Sequence, residues 1–345
     1  MTATLHPPPV RRTTGTRLLG LAGGLALLAV VCLLSIAFGT RQIPIGQVVD
    51  SFVDPGRVPA DVLAIVRGVR IPRTALGLLA GASIGLAGAV MQGLTRNPLA
   101  DPGLLGVSAG AAFGIVVAIA LLNVTGVYGY VWFALLGALL ASTVVYLLGG
   151  LGRGGATPVK LALAGVGVTL LIGSLTSAIV LSSPLALDRF RFWTAGSIAG
   201  QDAGVVLRVL PFLAAGVVLA LGTAPALNSL ALGDQVARAL GQRIGWIRLQ
   251  GALAVTLLAA GAVAVTGPIV FVGLVVPHLV RMVTGPDYRW LLPYTIVYSP
   301  ALLLAADVAG RIVARPGEIQ VGVIVAFIGG PFFIALVRRR RLAEL

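Results

Sequence analysis

The sequence predicts an all-α, polytopic membrane protein of about ten transmembrane helices, taking roughly 20 apolar residues per crossing. Three observations predict it. Of the 345 residues, 58% are hydrophobic and 10% charged, against roughly 25% charged in a soluble globular chain. Mean hydropathy is +1.02. Apolar runs of spanning length recur along the chain, separated by short polar links. The 46 glycines suit helices that pack closely in lipid.

The elements follow in order. Residues 1–17, with Pro7, Pro8, Pro9, Arg11, Arg12 and Arg17, read as a cytoplasmic tail. The run 18–38 is longer than a signal-peptide core and lacks a small-x-small cleavage site, so it reads as a retained first span. Further spans are predicted at 74–94, 103–122, 127–151, 159–181, 204–222, 247–266, 269–283, 291–309 and 319–337. The 269–283 run is short and carries Gly273 and Pro277, which predicts a broken or tilted span. The membrane-spanning body is thus 18–337, followed by a basic tail, 338–345, that opens with Arg338, Arg339, Arg340 and Arg341. Links 39–73, 182–203 and 223–246 are too short for a soluble domain.

Both arginine-rich termini are expected in the cytoplasm. Two ends on one side require an even number of spans. Arg70-Ile71 and Arg243-Ile244 each open an apolar run, and Gly88-Ala89-Val90 and Gly261-Ala262-Val263 recur at the same offset. Five spans per half would make such half-repeats inverted.

The formal net charge of +14 is almost entirely arginine; Lys160 is the only lysine. In so apolar a chain this charge reads as membrane orientation, lipid contact and docking, not nucleic-acid binding. Cys32 stands alone and excludes an internal disulfide. His6 and His278 are too few and too far apart to predict a metal site, and no cofactor is expected. No G-x-x-x-x-G-K-[ST] phosphate loop occurs, so ATP hydrolysis is not expected of this chain. No paired His/Glu, Ser/Lys or Asp motif predicts an enzyme. The best intramembrane acid, Asp307, lies at a span end and reads as the i,i+4 partner of Arg311. An ion-coupled secondary transporter, the alternative class, would usually carry an acid or histidine near mid-membrane.

Five polar segments are candidates for function. Residues 91–108 place Arg96, Asn97, Pro98, Leu99, Asp101 and Pro102 between two apolar runs, tolerable only where the backbone lines a protein-walled or watery space. Arg67, Arg70, Arg73, Arg311 and Arg315 fall on the outer side, reading either as a docking surface or as arginines snorkelling to lipid phosphate. Residues 228–241 form a short amphipathic segment with Gly233 as breaker, Asp234 as cap and Gly241 as terminator; it rests either on a partner or on the bilayer. Residues 188–197 interleave Arg189, Arg191, Phe192 and Trp193, as an interfacial belt or an outer gate. In 267–281, His278 reads as a helix-end hydrogen bond rather than a proton relay.

These motifs together resemble the FecCD-type permeases of binding-protein-dependent importers for iron–siderophores, haem and vitamin B12. The matching blocks are Arg70-Ile71-Pro72-Arg73, Met91-Gln92, Asn97-Pro98-Leu99-Ala100-Asp101-Pro102-Gly103-Leu104-Leu105-Gly106, Leu163-Ala164-Gly165-Val166, Gly267-Pro268-Ile269, Phe271-Val272-Gly273-Leu274, Pro277-His278 and Ile328-Gly329-Gly330-Pro331-Phe332-Phe333. Arg191-Phe192-Trp193-Thr194-Ala195-Gly196-Ser197 and Pro316-Gly317-Glu318 are most similar to the ferric-enterobactin branch. The resemblance implies a type II ABC importer permease in the inner membrane. It implies pairing with an identical or homologous permease, two cytoplasmic ATP-binding subunits, an extracytoplasmic binding protein and a ferric siderophore as cargo. By the same resemblance Arg70, Arg73 and Arg311 would meet the binding protein, and Asn97 and Leu99 would lie near the cytoplasmic gate. Leu232, Gly233, Asp234, Ala237, Leu240 and Gly241 would couple to the ATPase, Arg191 and Trp193 would border the outer gate, and spans five and ten would line the dimer interface. Tyr298-Ser299-Pro300 departs from the pattern and predicts a local kink.

Overall fold

The computed structural model describes residues 13–124, 126–151, 157–201 and 203–338. Most of the predicted N-terminal tail, with His6, and the C-terminal run from Arg339 onward lie outside the described residues. The ordered elements are helical: α1 (Thr14–Ala37), α2 (Ile45–Val53), α3 (Ala60–Ile65), α4 (Ile71–Thr95), α5 (Val107–Ala120), α6 (Val127–Gly150), α7 (Pro158–Ser182), α8 (Pro184–Thr194), α9 (Ala203–Gly222), α10 (Ala224–Ala231), α11 (Asp234–Ala239), α12 (Ile244–Thr266), α13 (Val272–Thr284), α14 (Tyr288–Val313) and α15 (Val321–Arg338).

Among the described residues, seven of the apolar helices are long enough to cross a membrane, and three more, α5, α13 and α15, are apolar but shorter. All ten predicted runs are therefore helices, but not all are full-length spans. α5 has 14 residues and α13 has 13, so each rises only about 20 Å of the ~30 Å hydrocarbon core. Irregular backbone precedes both: 96–106 joins α4 to α5, and 267–271 joins α12 to α13. Such backbone is tolerated where protein buries it, and the carbonyl of Leu104 packs directly on Gly165 of α7. Residues of both links line one small pocket, Asp101, Pro102 and Gly103 from the first and Pro268, Ile269 and Val270 from the second.

α4 and α12 form the centre. Each is buried over most of its length, whereas α1 and α7 are largely exposed. Glycine makes this packing close. Gly81 and Gly85 lie against Pro300 and Ser299 of α14, and Gly88 against the backbone of Gly273 in α13. Gly110 and Gly137 face each other backbone to backbone between α5 and α6. Without a hydrophobic force between helices in lipid, such small-residue contacts carry association. α14 continues through Pro293 and Pro300, which lie inside the helix.

Candidate functional site

Polar chemistry concentrates at the two ends of the bundle. One end is an elbow built from α10 and α11. Gly233, at φ +106, lets the chain turn sharply between them, and Gly241, at φ +79, ends the segment. These are left-handed conformations that glycine adopts without strain. On α11, Ala237 is fully buried, while Leu232, Val236 and Leu240 are exposed. Val236 and Leu240, four residues apart, share one face of this turn, and Leu232 lies just before it, on the other side of Gly233. Asp234 faces the other way. Its carboxylate pairs with Arg96, accepts from Arg248 Nη2 of α12 at 2.9 Å, and has Arg238 Nη2 at 3.9 Å.

Arg96 is the first residue past α4 and takes a left-handed conformation, φ +49. The next residue, Asn97, is exposed and folds back, its Oδ1 accepting from the N–H of Leu99 at 2.9 Å. Leu99 is half-buried. Asp101 Oδ1 accepts from the Gly103 N–H at 2.7 Å and starts a single 3₁₀ turn. The elbow also reaches the α13–α14 turn. Asn228 donates to Asp287 Oδ1 at 2.6 Å and accepts from the Tyr288 N–H at 2.9 Å.

At the opposite end, arginines converge on the C-terminus of α1. Arg70 donates to the carbonyls of Ile36, Ala37 and Arg41 at 2.8, 2.6 and 2.7 Å. Arg311 donates to those of Ser35 and Phe38 at 3.0 and 2.9 Å, and Arg315 to that of Gly39 at 3.0 Å. A helix leaves its last carbonyls without intrahelical partners, and its C-terminus attracts cations. Asp307 completes the network, 2.6 Å from Arg73 Nη2 and 2.9 Å from Arg311 Nη2, while Glu318 lies 2.7 Å from Arg73 Nη1. Arg70, Arg73 and Arg311 are only 3%, 7% and 2% exposed. The structure thus places these three guanidiniums inside the chain, held by its own carbonyls and acids, and not on its surface. Arg57, paired with Asp54 at 2.9 Å, and Arg67, donating to the Ser51 carbonyl at 2.6 Å, are exposed.

The model of the FecCD transport family matches residues 27–339. The chain belongs to the FecCD transport family. It is 46% identical to the ferric enterobactin transport system permease protein FepD of Escherichia coli (strain K12), over 94% of this chain and 96% of that protein. The hemin transport system permease protein HmuU of Yersinia pestis is 38% identical, over 79% of this chain and 83% of its own. A solved structure described as an inward-facing conformation of a metal-chelate type ABC transporter superposes with a TM-score of 0.82 at 29% identity, covering 92% of this chain and 98% of that one. This FecCD-family chain is accordingly a multi-pass inner-membrane permease of an ABC importer, a transport subunit rather than an enzyme.

Several sequence readings meet this geometry differently. Asp307 pairs with Arg311 as expected from the i,i+4 spacing, but Arg73, 234 residues away, is an equal partner that local spacing could not reveal. Of the elbow residues expected to meet an ATPase, Leu232 and Leu240 are exposed, whereas Ala237 and Asp234 face the permease itself. Arg191 is exposed and Trp193 half-buried on α8 of this FecCD-family chain. Trp193, Asp188, Arg189, Tyr130, Gln201 and Gln320 help line a cavity of about 480 Å³. His278 corrects the helix-end expectation: it sits inside α13, its Nδ1 without a hydrogen-bond partner among the described residues, its ring edge-on to Phe332 at 6.1 Å. The partners of Asp234, Arg96 and Arg248, stand 138 and 14 residues away, beyond the reach of local spacing. The only available signal was their charge beside polar segments.

Proposed function

We propose that this chain translocates iron–siderophore complexes as one of two permeases in an importer powered by separate ATP-binding subunits. The single observation that carries the reading of its drive is the elbow. It presents exposed apolar residues, Val236 and Leu240 on a short helical turn tied by ion pairs into the bundle and Leu232 just before it. Exposed apolar residues on a polar segment mark a partner surface. The elbow end lies in the cytoplasm with both termini, and the Arg70 end outside. Asn97 and Leu99 then belong to the cytoplasmic gate, and Arg191 and Trp193 to the outer gate region.

A binding protein docks at the outer end. Exposed Arg57 and Arg67 supply the charge it meets, and buried Arg70, Arg73 and Arg311 hold the platform beneath them. The second permease packs on α7 and α15. Support comes from exposed Leu163, Leu170 and Phe327, and from Gly167, Gly173 and Gly330, which leave open space where a Cβ would sit. The siderophore assignment draws on the name of the FepD relative. Haem or vitamin B12 is the alternative cargo, the former favoured by the HmuU relative.

Co-purification in mild detergent tests the drive. The chain, expressed with its neighbouring genes, is expected to bring an ATP-binding subunit with it. Recovery without one, or uptake by the reconstituted chain alone under a proton or sodium gradient, overturns the reading.

A further inference from the structure

The elbow could be a separate pad, passively carried by α10. Its polar contacts argue otherwise. One carboxylate, Asp234, is held by arginines from two other elements: Arg248 on α12, and Arg96, which lies 138 residues away where α4 ends. Arg238, on the same short helix, is mostly exposed and adds only a longer contact. The strong links of Asp234 therefore run inward. The Asp234 side chain is 27% exposed and that of Arg248 14%, which limits screening by salt. Charge-assisted hydrogen bonds of this kind are shorter and stronger than neutral ones.

Arg96 is adjacent in sequence to Asn97, and Asn97 is folded onto Leu99 by its own side chain. No slack chain separates the ion pair from residues 97–99. From this juxtaposition we infer that Asp234 is a positioning residue. Its pair with Arg96 is the strut that converts displacement of the α11 helix into movement of the 96–106 link. The Arg248 contact anchors the same carboxylate to central α12, so the strut pulls against a fixed point. Asn228, bonded to Asp287 and Tyr288, holds the other end of the elbow to the α13–α14 turn.

The inference rests on the reading that an ATP-binding subunit presses on the elbow. The test keeps the two separable. The complete importer, with its ATP-binding subunit and binding protein, is reconstituted with Arg96→Gln, Asp234→Asn and the double variant. Co-purification, ATP hydrolysis and cargo taken up per ATP are then measured. Each single variant is expected to retain the ATP-binding subunit and its hydrolysis while uptake per ATP falls about tenfold, in the range of measured coupling energies. The double variant is expected to be no worse than the poorer single, because both remove one interaction. Asp234→Glu is expected to recover most of the uptake.

A second readout is one that a merely structural role would not move. In a Cys32→Ser background, thiol labelling of Leu99→Cys is expected to respond to nucleotide, and Arg96→Gln is expected to abolish that response. Wild-type uptake in the single variants, multiplicative losses in the double, loss of the ATP-binding subunit on Asp234→Asn, or an unchanged labelling response each overturns the strut. Failure of the unmutated chain to retain an ATP-binding subunit would instead overturn the proposed drive.

Discussion

At one end of the bundle Asp307 is completely buried between Arg73 and Arg311; at the other Asp234 is held by Arg96 and Arg248 yet remains 27% exposed. The ion pairs are chemically alike, and their surroundings differ. Around Asp307 the remaining donors of Arg311 end on Ser35 and Phe38 at the end of α1, and Arg73 Nη1 ends on Glu318. Removing Asp307 leaves buried Arg311 without an acid partner and Arg73 with Glu318 alone. Around Asp234 water reaches the pair, and the short turn that carries it exposes Val236 and Leu240. The comparison teaches that burial, not residue type, separates a lock from a link.

The comparison can be broken at its strongest point first. Asp307→Ala leaves buried Arg311 without an acid and Arg73 with Glu318 only, and loss of one partner from a buried pair costs about 3–5 kcal/mol. Thermal unfolding in detergent should register it, and an unchanged midpoint would mean that the network is not a lock. Arg70→Ala removes the donor to the half-buried Ile36 and Ala37 carbonyls at the end of α1 and to that of exposed Arg41 beyond it, and is expected to cost about 1–3 kcal/mol through the acceptors left unsatisfied. Proteolysis at the α1–α2 junction should rise with it.

Arg67→Glu sharpens the distinction between buried and exposed arginines. It is expected to change stability by no more than about 1 kcal/mol while weakening binding-protein association about tenfold, with a marked salt dependence. Equal binding by wild type and variant in a pulldown removes the docking role. The smallest effect on stability is expected at the elbow. Val236→Asp lies on an exposed surface and should shift stability by less than about 0.5 kcal/mol, yet abolish retention of the ATP-binding subunit.

Much of the architecture was legible because a bilayer imposes a simple rule: spanning segments must be apolar and long. The runs at 18–38, 127–151, 159–181 and 204–222 coincide with α1, α6, α7 and α9 to within a few residues. The rule failed in part at α5 and α13, where the apolar pattern runs on into irregular backbone that the neighbouring helices bury. The elbow was legible through Gly233 and Gly241, whose turn chemistry is local; Asp234, expected as the cap, is instead the first residue of α11, with Gly233 at the cap position and the carboxylate drawn to Arg96 and Arg248. The inward direction of Asp234 was not, since its partner Arg96 belongs to another half of the chain.

The sequence by itself determined that this protein crosses a membrane repeatedly, where its spans fall, and where polar segments interrupt them, because hydropathy and turn chemistry act over a few residues. Only the tertiary structure decided which charges meet. Arg70, Arg73 and Arg311 were visible as outlying arginines, but their burial against α1 and Asp307 depends on helices brought together from across the chain. The energy of a charge is set by the dielectric and the partners around it, and both are properties of the assembled fold.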